Sequence, residues 1–391
     1  MNQSMMKKPA NGAGGTVRIG AGAPRAAGAM SRSLLRGVLG LVGAATFLHA
    51  EGVLAQAQGA RGSAQGPVGQ APEAAGKPAE VASIFEQPGV LTGPGRLVLE
   101  PSLQYSYSSS NRVALVGYTV IPAINIGLIN VQEVKRDTFI GTLTTRYGLT
   151  NRLEIESKVP YVHRSDSQVA FPTGQGSGQA QVFDASGSDV GDVEMTARYQ
   201  WNDGGADSAY YISTLRLKSR TGRDPFQSEL ATNFGTTFNN IALQRTLPTG
   251  SGFYAVQPGL TMLLPSDPAV FFGSVSYLAN IKRHGVTQNT DQGAAFVGDV
   301  APGAIIGFNF GMGMAINGKT SLSIGYDHAS VGKTLINGMA PAGATRLELG
   351  TLLLGFSHRI SESRTINVSI GAGITRDTPD LTLTLRLPFT L

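Results

Sequence analysis

In residues 381–391 every odd position is apolar: Leu381, Leu383, Leu385, Leu387, Phe389 and Leu391. The even positions hold Thr382, Thr384, Arg386, Pro388 and Thr390. A strand points successive side chains to opposite faces, so this segment has one apolar face and one mostly polar face. The same alternation recurs along the chain from residue 96. In 96–108, Leu97, Leu99, Leu103, Tyr105 and Tyr107 oppose Glu100, Ser102, Gln104 and Ser106. Residues 137–148 set Phe139, Leu143 and Tyr147 against Thr142, Thr144 and Arg146. Residues 152–163 set Leu153, Ile155, Val159 and Tyr161 against Glu154, Glu156 and Lys158. In 190–201, Val193, Met195, Ala197, Tyr199 and Trp201 oppose Glu194, Thr196, Arg198 and Gln200. Further strands are expected around Leu215–217, 254–264, 271–277, 303–316, 320–329, 346–358 and 365–375. Of these, 346–358 alternates least well.

Connection lengths add a second regularity. Short links fall at 149–151, 202–207, 265–268, 317–319 and 361–363, and long ones at 109–136, 164–189, 220–252, 282–302 and 331–345. Short and long links alternate, as periplasmic turns and outer loops do in bacterial outer-membrane barrels. The expectation is an all-β, antiparallel, up-and-down transmembrane barrel of about twelve strands, closed by pairing 381–391 with 96–108. Arg386 is then expected in the lumen, and Leu97, Leu99 and Leu103 face lipid beside Leu383, Leu385 and Leu387. A soluble β-sandwich alternates too. The terminal strand, the loop lengths and the N-terminus together favour the membrane barrel. Tyr105, Tyr107, Tyr147, Tyr161, Tyr199 and Trp201, near strand ends, fit interfacial girdles.

The N-terminus reads as a targeting segment. Residues 31–36 are a basic stretch, 37–50 are apolar, and Ala55-Gln56-Ala57 is a small-x-small cleavage site. Residues 1–57 are therefore expected to be a signal peptide, with 1–29 an extended or misassigned start. Residues 58–95 are expected to be a flexible periplasmic tail or a small plug, and 96–391 the barrel. The apolar stretch is too short for a spanning helix, which needs about 20 residues.

Charge changes the picture only locally. The chain carries 31 basic and 26 acidic residues, but six bases and one acid precede residue 58. The remainder holds 25 of each, which argues against a nucleic-acid partner, since phosphate binding needs a retained basic face. There is no cysteine, so thiolate chemistry is excluded. His163, His284, His328 and His358 have no neighbours at metal-ligand spacing, and neither a metal nor another cofactor is expected. His328 and Ser330 fall two apart on one strand face, the arrangement of a lipid hydrolase on a barrel wall; the plainer reading is a polar cluster near a loop, and no enzyme is expected. The more credible site is the charged inward face: Glu100, Arg146, Glu154, Glu156, Lys158, Glu194, Arg198, Arg216, Lys218 and Arg386. These form either an ion-pair ladder that stiffens the wall or a mixed-charge constriction that filters solutes.

Three stretches carry a family resemblance: 146–155 (RYGLTNRLEI), 191–199 (GDVEMTARY) and 247–252 (LPTGSG). They resemble the outer-membrane barrels grouped as "meta-pathway of phenol degradation" proteins, across most of 96–391. The resemblance implies a barrel that passes small or hydrophobic molecules. A related group of similar size exports amyloid-forming subunits. The expected function is passive passage of small, aromatic or hydrophobic, solutes across the bacterial outer membrane. Export of an amyloid-like polypeptide is the alternative, and a lipid hydrolase or structural barrel comes after that. The expected partners are outer-membrane lipid, a small-molecule permeant or exported polypeptide, and the barrel-assembly machinery, met through the C-terminal strand.

Overall fold

The computed structural model describes residues 91–109, 131–170, 181–203, 208–233, 239–266, 269–341 and 344–391. The signal-peptide reading and most of the tail reading lie outside these residues. The first six strands are β1 (Leu97–Ser109), β2 (Val131–Gly148), β3 (Leu153–Ala170), β4 (Gln181–Val190), β5 (Glu194–Gln200) and β6 (Tyr210–Lys218). β7 (Leu230–Asn233) and β8 (Asn239–Gln244) are followed by β9 (Ala255–Ser266) and β10 (Ala269–Asn280). Then come β11 (Arg283–Thr290), β12 (Gly293–Ala301), β13 (Ile305–Asn317), β14 (Thr320–Val331) and β15 (Leu335–Ile336). The chain ends with β16 (Leu347–Ser361), β17 (Arg364–Gly373), β18 (Leu381–Arg386) and β19 (Phe389–Thr390).

Twelve antiparallel staves close into a barrel: β1, β2, β3, β4 with β5, β6, β9, β10, β13, β14, β16, β17, and β18 with β19. Closure pairs the two ends as expected, with Leu103 opposite Leu385 and Tyr105 opposite Leu383, and Leu99 opposite Phe389. The ring closes through β5 at the fourth stave, while β4 itself pairs only with β3; along the closed path each stave has neighbours on both sides for its backbone donors and acceptors, the condition for crossing hydrocarbon.

Burial is inverted relative to a soluble protein. Leu103, Leu143, Tyr161, Leu215, Phe310 and Leu354 are exposed on the outside, while Thr138, Glu154, Arg198, Ser321 and Ser357 are buried inside. A sandwich would place its apolar face in the core. An apolar belt this extensive belongs in lipid, so the fold is a transmembrane β-barrel. Tyr147, Tyr161, Tyr199 and Trp201 are exposed, as girdle positions require. Trp201 meets Tyr199 edge-on at 5.3 Å between ring centres.

The structure departs from the sequence-based expectation in four places. First, the last strand is not continuous. It breaks at Leu387 and Pro388, because proline has no N–H to extend the ladder; Leu387 N donates instead to Pro101 O at 3.0 Å. Second, the fourth stave breaks at 191–193, placing Val193 outside the strand. Pro160 faces the gap and offers only its carbonyl, to which Gly191 N donates at 2.8 Å. Third, β2 and β3 run on as a long hairpin that pairs Val131 with Ala170, well past the expected loop boundaries. Fourth, three outer connections are not featureless loops. They contribute β7, β8, β11, β12 and β15 to a separate five-stranded sheet. Phe226, Phe253, Val286 and Val300 form a buried cluster there. Arg283 lies 5.4 Å and 5.7 Å from the two phenyl rings and donates to Asp224 at 2.8 Å.

The final residues of the expected tail are docked on the barrel. Leu91 packs against Ile212 and Leu263, with Tyr210 and Phe272 alongside. Thr92 N donates to the Glu154 carboxylate at 2.6 Å.

Candidate functional site

Even-numbered positions of β3 face the lumen, and so do their register partners on β2 and β5. This places the expected charged residues on one wall. Glu154 lies opposite Arg198, and Lys158 opposite Glu194. Arg146 lies opposite Glu156, and Glu194 opposite Lys218. Arg198 bridges two carboxylates, Glu154 at 2.6 Å and Glu156 at 3.0 Å. Arg146 pairs with Glu100. Arg216 pairs with Glu194 at 3.1 Å and also donates to Gln257, which passes a hydrogen bond to Ser276 at 2.9 Å. Arg386 lines the same cavity next to Ser102. All ten expected residues therefore stand on a continuous arc running from the last stave through β1 to β6.

Within the arc, the residues differ in burial and in what they can meet. Glu154, Arg198 and Lys218 are almost wholly buried. Glu100, Arg146, Glu156, Lys158, Glu194, Arg216 and Arg386 line a cavity of about 90 Å³. Its wall also includes Ile140, Pro160, Val162, Arg164, Asp192 and Thr249, none of them an expected site residue. Arg164 and Asp166 continue the inward alternation of β3 beyond 163, where the strand was expected to stop. Extending the alternation by three residues would have found both.

Asp192 occupies the break in the fourth stave and holds a long connection inside the lumen. Its carboxylate accepts from Ser251 N at 2.8 Å, Ser251 Oγ at 2.6 Å and Gly222 N at 3.2 Å. Lys218 Nζ lies 3.7 Å away. Three glycines make the close approach possible. A Cβ at Gly250 would come within 2.8 Å of Gly222 Cα, and one at Gly222 within 3.0 Å of the Gly191 carbonyl carbon. The result seats Thr249 in the cavity wall and lets Arg164 Nη1 donate to Pro248 O at 3.1 Å. The Gly-Asp-Val and Leu-Pro-Thr-Gly-Ser-Gly stretches, which carried the family resemblance, are thus the two halves of one contact.

His328 and Ser330 share a face, but it is the outer one, since their register partners Phe308 and Ile306 are exposed. His328 Nδ1 meets the Tyr326 hydroxyl at 2.9 Å and Nε2 meets Glu348 at 3.2 Å. Ser330 Oγ donates to Glu348 at 2.8 Å and accepts from Arg346 at 3.1 Å. The serine proton is thus directed to a carboxylate and not to the histidine, which is not the geometry of a nucleophile beside its base. The cluster sits beside a loop, as its plainer reading had it. No group of metal-binding side chains occurs among the described residues.

No protein-family model matches the chain. Among solved structures, an outer membrane channel from Pseudomonas putida F1 aligns with a TM-score of 0.55 at 17% identity, over 78% of this chain and 100% of that one. The translocator domain of the autotransporter NalP from Neisseria meningitidis gives 0.43 at 8%, over 76% and 89% of the two chains. The toluene transporter TbuX from Ralstonia pickettii gives 0.39 at 10%, over 79% and 92%. The first likeness supports the same conclusion as the inverted burial: the chain has the fold of an outer-membrane β-barrel.

Proposed function

We propose that this chain is an outer-membrane channel through which small solutes pass down their gradient. The observation that carries the reading is a closed twelve-stave barrel with a polar and charged interior and a cavity against one wall. Buried charges are expensive, and a purely structural barrel could fill its lumen with apolar side chains at lower cost. The neighbours that are channels or transporters by name, including one for toluene, favour small hydrophobic or aromatic solutes. The polypeptide-export alternative is favoured less, because the ion-pair ladder, Thr249 and Leu91 occupy positions on the inward side of the wall. We read residues 1–57 as a cleaved signal peptide, 58–95 as a tail whose last residues dock at the periplasmic end, and 96–391 as the barrel. We assign the ten charged residues to the constriction, where the ion pairs both stiffen the wall and present charge to the solute. The test is planar-bilayer conductance and liposome swelling with the refolded full chain. Discrete conductance steps and solute-dependent swelling are expected, whereas a sealed barrel on both assays sinks the proposal.

A further inference from the structure

On the lipid-facing side of β14 and β16 the residues change character along the stave. Leu322, Ile324, Leu352, Leu354 and Phe356 are apolar and exposed. Toward Val331 the same face carries Tyr326, His328, Ser330 and, opposite the serine, Glu348. Val331 leads into the long connection, which is the outer one in a barrel of this kind. His328 lies three residues before it, about 10 Å along the strand at ~3.3 Å per residue. A charge on the lipid face becomes cheap only near the interface, so the cluster stands where acyl chains give way to headgroups.

Three features of the cluster point outward. The first is an aromatic platform. The Phe308 ring lies 5.0 Å from His328 and 6.2 Å from Tyr326, and Phe310 lies 5.7 Å from Tyr326; both phenyl rings are exposed. Gly350 keeps the platform flat, since a Cβ there would come within 2.8 Å of the Tyr326 hydroxyl. The second is the Glu348 carboxylate, half-exposed although it accepts from Ser330 and faces His328. The third is a pair of rim cations. Arg346 and Lys333 flank the last register pair of these staves, Val331 with Leu347, and both are exposed. Among the described residues Arg346 meets the neutral Ser330 hydroxyl, and neither cation forms an ion pair.

A bare lipid phosphate suits the rim cations but meets repulsion from Glu348. A neutral sugar supplies hydroxyl donors to Glu348 and leaves the cations unanswered. A phosphorylated sugar carrying acyl chains answers all three features and covers the apolar belt below them. We propose that the outer end of β14 and β16 is a binding site for a phosphorylated glycolipid of the outer leaflet. Its phosphate meets Arg346 and Lys333, its hydroxyls donate to Glu348, and its sugar ring covers the aromatic platform. The acyl chains run down Leu352 and Leu354. The site rests on the barrel fold and is independent of whether the lumen conducts.

The experiment is native mass spectrometry of the refolded full chain in detergent, titrated with lipid A, with dephosphorylated lipid A, and with phosphatidylglycerol, which keeps a phosphate and lacks the sugars. Lipid A should bind on the order of tenfold more tightly than either of the others, the worth of one hydrogen bond to a charged group. Arg346→Gln should bring lipid A down to the level of its dephosphorylated form. Glu348→Gln should narrow the gap between lipid A and phosphatidylglycerol. Each variant is first shown to be folded by its heat-modifiable gel migration, and Lys333→Gln, outside the stave, serves if Arg346→Gln does not fold. Arg359→Gln, at the periplasmic end of β16, should leave the preference unchanged. Equal binding of lipid A and phosphatidylglycerol, or a preference unaltered in the folded rim variants, overturns the proposal. So does an equal loss in Arg359→Gln, which would make the attraction a matter of overall charge. A dimer that forms without lipid and disappears in Arg346→Gln overturns it as well, and gives this face to a second copy of the chain.

Discussion

The two halves of the barrel wall line the same lumen in opposite ways. From β1 to β6 the inward side is a lattice of arginines, a lysine pair and carboxylates, tied together at distances of 2.6–3.7 Å. From β10 to β17 glycine, serine and asparagine are the commonest inward residues, as in Gly311 and Gly313 on β13 opposite Gly325 and Ser323 on β14, with one acid, Asp327, opposite Asn309. On that side the space is filled by packing. The Phe272 ring lies where a Cβ on Gly311 would come within 2.8 Å of it. One wall therefore positions charge by mutual neutralisation, and the other makes room.

The largest expected effect comes from removing the central cation of the charged wall. Arg198→Met leaves Glu154 and Glu156 buried beside each other without their shared partner. Breaking a buried pair this way costs about 3–5 kcal/mol. Urea unfolding of the refolded barrel should show it; a change below about 1 kcal/mol would mean that the lattice is incidental to stability.

A smaller loss, about 2–3 kcal/mol, is expected for Asp192→Ala, which deprives Ser251, Gly222 and Lys218 of their common acceptor. Because that carboxylate holds the connection in the lumen, limited proteolysis should gain cleavage within residues 219–254 and conductance should rise. Unaltered cleavage and unaltered current would show that the connection is held by other contacts.

On the opposite wall the expected change has a different origin. Gly311→Val drives a side chain against Phe272 and Ile324 O, an overpacking cost of about 1–3 kcal/mol. It should narrow the path without altering ion selectivity, whereas Arg386→Gln should alter selectivity with little change in stability. Reversal potentials under a salt gradient separate the two, and equal shifts in both variants would erase the distinction between the walls.

The smallest effect lies outside the membrane, in the sheet built from the outer connections. Asp299 sits low, at about 2, chiefly through the hydrogen bond from Lys282 and also through Gly285 N and His284; desolvation opposes them. A carboxylate whose value falls on folding contributes stability above its ordinary value of 3.8 and loses that contribution as pH falls toward 2. Amide exchange in β11 and β12 should thus be independent of pH-driven opening at pH 6 and show increased local opening between about pH 4 and pH 2. Lys282→Ala should move the onset upward. An identical profile in the variant would remove Lys282 as the cause.

Much of the barrel was legible in the order of residues because period-two alternation is a local property. A strand with one face in lipid and one in a polar lumen must write its register into consecutive positions, and a single-residue slip would turn every side chain to the wrong face. That is why the ten charged positions share one side of their strands, and why Leu103 and Leu385, which pair on closure, were expected to be neighbours. The misses have two causes. The break at Leu387 and Pro388 follows from a local signal that was passed over, a proline inside a strand pattern, whereas Gly191 to Val193 and the outer sheet depend on partners that are distant along the chain. Asp192 was visible as a residue, but its partner Ser251 lies 59 positions away.

Alternation, an even number of staves and the sign of each lining charge are thus written in the chain, since the pleat and the lipid act residue by residue. Which cation meets which carboxylate, the seating of Thr249 and Leu91 in the lumen, and the burial of the Arg146 and Arg164 Nε groups without an acceptor arise only on closure. Ring formation brings staves from both ends of the sequence around one enclosed space, and the balance of charge within that space is a sum over all of them.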